Sequence, residues 1–118
     1  MSFDYRALAS AALIAASSLA LAGMASGPEI KTAVTGKTIR GNMDSTGPYA
    51  EYYTADGVVH GKDYKAKWSV EGDKMCWTYE GSPKDCWDVE ISGDQVRWLK
   101  DGKSQGTGTI VEGNPNKF

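Results

Sequence analysis

From Lys37 to the end of the chain, hydrophobic and polar residues alternate with a period of two. Tyr64, Ala66, Trp68 and Val70 alternate with Lys65, Lys67, Ser69 and Glu71, which is the pattern of a half-buried strand with a wet lysine face. Gly72-Asp73 then reads as a two-residue hairpin turn that begins with Gly. Closing the pairing across it sets Val70 against Met75 and Trp68 against Trp77, all on one face. The next strand carries Met75, Trp77 and Tyr79 on the core side, and the returning one carries Trp87, Val89 and Ile91. Gly93-Asp94 repeats the turn and sets Ile91 against Val96 and Val89 against Trp98. Near the C-terminus, glycines 106 and 108 and Ile110 are expected inward, so that the Trp98 ring lies on backbone. About eight strands result, near 38–43, 49–55, 58–62, 64–71, 74–80, 85–92, 95–100 and 105–111. Short connections make an antiparallel meander, and a small meander avoids exposed edges by curling strongly or closing. The fold class is therefore mainly β: a strongly curled sheet or small barrel with one short N-terminal helix. That helix is expected to start at Ser26-Gly27-Pro28-Glu29, a capping box with Pro in the first turn. Ile30 and Val34 share one of its faces, and Gly36 can end it.

Residues 7–25 follow neither period. They form an uncharged run rich in Ala and Ser, with Arg6 just before it and small residues at its end. This is the layout of a secretory leader. An uncleaved anchor is the rival, but the run is weakly apolar for a membrane span. Two cleavage sites fit the small-x-small rule, Ala20-Leu21-Ala22 and Gly23-Met24-Ala25. The second is preferred, giving a leader over 1–25 and one β-meander domain over 26–118. Leu21-Ala22-Gly23 looks like the start of a lipoprotein box, but Met24 stands where the lipid-bearing Cys belongs. No membrane anchor is expected after cleavage, and the product is periplasmic or secreted.

The 118-residue chain has a formal charge of −2, and Asp4 and Arg6 cancel within the leader. Its lysines are scattered, whereas nucleic-acid affinity rests on clustered Lys and Arg, so no nucleic acid is expected as a partner. The two cysteines, Cys76 and Cys86, read as one disulfide in an exported chain. The alternatives are a redox pair or half a metal site. Both cysteines are expected on the face away from the core, across one hairpin.

Catalytic chemistry is sparse. The one histidine, His60, is a candidate general base, and pairing across Asp56-Gly57 would set it opposite Tyr53. No nucleophile elbow, phosphate loop or dinucleotide fingerprint is present. His/Cys clusters for a metal are missing. Asp56, Asp73, Asp94 and Asp101 sit one per turn, as backbone geometry favours. Asp85, Asp88 and Glu90 are the one acidic concentration, read as a solvated strand face. No catalytic, cofactor-binding or metal-ligating residue is assigned. Trp68, Trp77, Trp87 and Trp98 fall on one face of successive strands. They form either the core or an aromatic ligand surface, and packing is favoured. Four indoles inside so small a barrel are expected to leave little void.

Several local sequences match in order: Gly36-Lys37-Thr38, Glu51-Tyr52-Tyr53, Asp56-Gly57, Trp68-Ser69-Val70, Cys76-Trp77, Cys86-Trp87, and Gly106-Thr107-Gly108 before Gly113-Asn114-Pro115. Together they resemble a family of small exported proteobacterial proteins of unknown function. The resemblance implies the fold and the compartment and brings no activity with it. The stretch from Trp68 to Asp73, followed by Cys76, is also similar to a segment of the small β-barrel inhibitors of secreted metalloproteases. In those inhibitors the second cysteine comes much later. The expected function is a non-enzymatic binding or interaction module, with an envelope protein or a small apolar ligand as the open choices of partner. The alternatives are an inhibitor of a secreted protease, presenting residues 26–36, or a carrier of a small apolar ligand.

Overall fold

The computed structural model describes residues 23–118. Most of the expected leader therefore lies outside the described residues. One helix, α1 (Gly27–Val34), precedes eight strands: β1 (Lys37–Met43), β2 (Gly47–Tyr53), β3 (Val58–His60), β4 (Lys65–Glu71), β5 (Lys74–Thr78), β6 (Asp85–Ser92), β7 (Gln95–Lys100) and β8 (Lys103–Glu112). Each strand pairs antiparallel with the next, and β8 returns to β1, closing a barrel.

The turn chemistry sets the register. Gly72 and Gly93 both hold φ at +62°. The pairs they impose are Val70 with Met75, Trp68 with Trp77, Ile91 with Val96 and Val89 with Trp98. The β7–β8 turn is Asp101-Gly102, both at positive φ, the geometry that an Asp-Gly hairpin favours. The hairpin between β2 and β3 departs from expectation. Thr54 N–H donates to Val58 O, and the Thr54 hydroxyl bonds the same residue. The loop is thus three residues long, Ala55 to Gly57, and its last residue has φ +90°. One extra residue moves the pairing by one, so His60 stands opposite Tyr52 and not Tyr53. A shift of one reverses the face, and His60 points outward.

The two ends of the barrel differ. α1 sits at the end that carries the β4–β5 turn. Its capping box is complete: Glu29 Oε1 accepts from Ser26 N, and Ser26 Oγ from Glu29 N. Asp73 in that turn accepts from Gly27 N at 2.7 Å, placing a carboxylate at the helix N-terminus where the dipole favours it. Ile30 and Val34 are fully buried against Ile39, Met75, Val89 and Val96. The dry core fills this end. Ahead of the helix, Met24 bridges to Glu90, and Ala25 N–H donates to Val89 O at 2.8 Å.

The barrel closes along glycines. Gly41 of β1 faces Gly108 of β8, and Gly106 lies opposite Trp98. A Cβ on Gly108 would come within 2.4 Å of the Tyr49 hydroxyl, and one on Gly106 within 2.7 Å of Met43 Sδ. The inward placing of these glycines is as expected, and the side-chain atoms nearest the freed space are the Tyr49 hydroxyl and Met43 Sδ.

Candidate functional site

Opposite the helix the barrel is open. A cavity of about 540 Å³ enters there, at the end that carries the β1–β2 and β5–β6 loops. The expectation of a filled interior fails for a physical reason. The buried apolar cluster runs from Ile30 and Val34 of α1 to Trp77 and Trp98, and beyond those rings the space at the open end is bounded by the polar loop residues Ser45, Thr46, Ser82 and Lys84, which do not fill it. The cavity walls carry Trp77, Trp87 and Trp98. Trp77 meets Trp87 edge-to-face with centroids 5.9 Å apart, and Trp98 likewise at 5.3 Å. Trp68 does not reach this space. It faces the closed end, where its indole N–H donates to Thr54 O and its ring stands against Tyr53. All four candidate tryptophans belong to the packed interior or lie against it, and three of them, Trp77, Trp87 and Trp98, also line the cavity.

Between the rings lies one carboxylate. Glu51 points inward from β2 and is only 7% exposed. Its Oε1 accepts from the Tyr53 hydroxyl at 2.9 Å. Its Oε2 accepts from Tyr79 at 3.1 Å and from Tyr64. Tyr53 in turn accepts from Trp77 Nε1 at 3.1 Å. A second chain runs beside it: Trp98 Nε1 donates to the Tyr49 hydroxyl at 2.8 Å, which donates to Thr107 O. Three O–H donors on one carboxyl are the set that a carboxylate accepts, since the anion offers about four lone-pair positions and no donor. Among the described residues Glu51 enters no ion pair.

The phenols around it hold their protons. Burial, with smaller help from the Glu51 charge, pushes Tyr49 up to about 12. The same two causes raise Tyr53 well above the ordinary phenol value, and Tyr64 and Tyr79 are raised chiefly by burial. Tyr64 and Tyr79 form the rim, 43% and 39% exposed, so solvent screens much of the effect there. Trp87 Nε1 is the one buried side-chain polar atom without a hydrogen bond among the described residues. It lies close enough to the Asp85 carboxylate to help the Lys100 ammonium, the larger cause, hold that group below its usual range.

No family model, curated protein or solved structure matches this chain. The site therefore has to be read from its own chemistry.

Of the other sequence candidates, Asp85 borders the cavity and the rest lie outside it. His60 stands on the outer face with its ring 6.4 Å from Tyr52. Asp85, Asp88 and Glu90 are each paired with a cation: Lys100, Lys74 and Arg97. Cys76 and Cys86 form a disulfide, in register across β5 and β6. Cys76 is fully buried, although it was expected on the wet face. The reason is a roof: the Glu71 carboxylate lies within 4.8 Å of both sulfurs and is tied to Lys84 and Ser69. With the sulfurs bonded to each other, neither offers a thiolate to a metal.

Sequence reasoning passed over Glu51. One signal was available: an acid at an inward position, two residues before an inward Tyr and two after another. A polar residue in the inward phase of an amphipathic strand marks a place where the interior is not simply apolar.

Proposed function

We propose that this is an exported, non-enzymatic binding protein that takes a small ligand into the aromatic cup at the open end of its barrel. The observation that carries the reading is the cavity of about 540 Å³ walled by Trp77, Trp87 and Trp98 around a buried carboxylate. Ligand sites are concave, mostly apolar, and hold a few placed polar groups, and volumes of this size suit small organic molecules. Among the described residues that line the cavity there is no histidine, no thiol and no unpaired second acid, which supports binding over catalysis. Asp85, the other carboxylate at the cavity, is held by Lys100.

Export is supported by the uncharged run behind Arg6 and by the disulfide, which suits an oxidising compartment. No helix among the described residues is long and apolar enough to cross a membrane. The outer faces of β4 to β7 carry the ion pairs of Lys74, Lys84, Arg97 and Lys100, unlike the apolar band of a lipid-facing barrel. The inhibitor reading gains no comparable support, because residues 27–34 are a docked helix with Ile30 and Val34 fully buried.

Intrinsic tryptophan emission tests the proposal. Titration with small aromatic and amphipathic molecules is expected to change emission saturably and to raise Tm. Trp87→Ala, on the cavity wall, is expected to weaken both responses at least fivefold. Emission and Tm that stay constant across such a panel remove the reading.

A further inference from the structure

Resting on the cup as a ligand site, we propose that its ligand is a small organic cation, a quaternary or protonated amine on an apolar or aromatic body, with Glu51 as the counter-charge. Glu51 is almost fully buried, lines the cavity, and has no cationic partner among the described residues. Lys84, the cation nearest the rim, is already committed to Glu71 at 2.6 Å. Three donors occupy the carboxylate, so about one of its four acceptor positions remains open, and its charge is not neutralised. A carboxylate kept in such a place is repaid when a cation arrives.

The walls suit the same ligand. Indole faces attract cations through the ring quadrupole, best of the aromatic side chains, and most strongly where water is excluded. Trp87, the least buried of the three lining indoles, stands edge-to-face against Trp77, which in turn meets Trp98, so the wall is a tilted stack of rings. The hydroxyls argue against a neutral polyol such as a sugar. Tyr53, Tyr64 and Tyr79 spend their protons on Glu51, and Tyr49 spends its proton on Thr107 O. The groups left for hydroxyls are Trp87 Nε1 and the loop hydroxyls of Ser45, Thr46 and Ser82, not the phenols beside Glu51. An anion would meet the Glu51 charge directly.

Three probes on one frame separate the charge from the shape: (4-hydroxyphenyl)trimethylammonium, its neutral isostere 4-tert-butylphenol, and 4-hydroxybenzenesulfonate. Calorimetric titration of the disulfide-bonded protein is expected to show the ammonium binding at least tenfold tighter than the neutral phenol, with the sulfonate weakest. Glu51→Gln is expected to bring the ammonium and the neutral phenol within threefold of each other. The comparison on the unaltered protein decides the charge question even if Glu51→Gln does not fold. Equal or tighter binding of 4-tert-butylphenol overturns the cation and leaves the cup standing as a site for neutral ligands. Binding of none of the three overturns the cation and, with an unresponsive wider panel, the cup as well.

Discussion

Three phenol hydrogens converge on the Glu51 carboxylate, and each leaves a trace in the titration of the protein. Unfolded tyrosines ionise near pH 10. In the fold, Tyr49 holds its proton up to about 12, and fully buried Tyr53 is raised well above the ordinary value. A folded pKa above the unfolded one means that the native state binds the proton more tightly. The stabilisation is complete below about pH 10 and drains away as pH climbs through about 12 and beyond. Tm is therefore expected to stay level from neutral pH to about 9.5 and to fall steeply between about 10 and 12. Phenolate absorbance should rise together with unfolding. A Tm that stays level through that window contradicts the buried phenol cluster. Because the Glu51 charge is one of the causes, Glu51→Gln should make the alkaline fall shallower. The facing of Tyr53 and Glu51 went unassigned from the sequence, although their spacing of two from Tyr49 carried it. That three hydroxyls meet at the acid was not legible, because Tyr64 and Tyr79 reach it from β-strand ends far away in sequence.

Individual elements were the most legible level of this chain. A capping box, Gly-first turns and an Asp-Gly turn each act within a few residues, so their geometry is written locally. α1 and the β4–β5, β6–β7 and β7–β8 hairpins follow from them, and the strand ends lie within a residue or two of expectation. The β2–β3 loop escaped because Thr54 chose a side-chain bond to Val58 that adds one residue to the turn. That single residue decides whether His60 faces the cavity or the solvent. The segment before α1 carries a consequence for processing. Ala25 is buried, its N–H bonds Val89 O, and Met24 bridges Glu90. Cleavage after Ala25 would remove these contacts, whereas cleavage after Ala22 keeps them. If the leader is cleaved, the mature protein is expected to begin at Gly23, which intact-mass measurement of the protein from its native host checks. A mature chain beginning at Ser26 would mean that the contacts of Met24 and Ala25 are dispensable.

At the scale of the whole molecule, the barrel divides into a dry half under α1 and an aromatic cup, and the disulfide belongs to the cup. This division was not legible, because the presence of a cavity depends on which side chains leave space after all strands have closed. The period of two put four tryptophans on one face, but only closure separates Trp68 from the other three. The β5–β6 ladder that joins Trp77 to Trp87 is short: Met75 with Trp87, Cys76 with Cys86 and Trp77 with Asp85. The disulfide sits at its middle, directly behind the two rings. On the chain-entropy model a loop of this length contributes roughly 2–3 kcal/mol. For a domain of this size that corresponds to a fall in Tm of about 10–20 °C on removing the bond. The double variant Cys76→Ser/Cys86→Ser tests this by thermal unfolding, beside the reduced native chain. For each kcal/mol of stability lost, its effect on ligand affinity should be larger than that of removing a distant stabilising group such as the Ser26 cap, worth about 1 kcal/mol. The bond holds the wall that carries Trp77 and Trp87, and the cap holds the far end. If both variants lose affinity in proportion to stability alone, the staple serves the fold and not the cup. If only the cysteine variant loses it while still folded, the oxidised state of the protein is what makes its site.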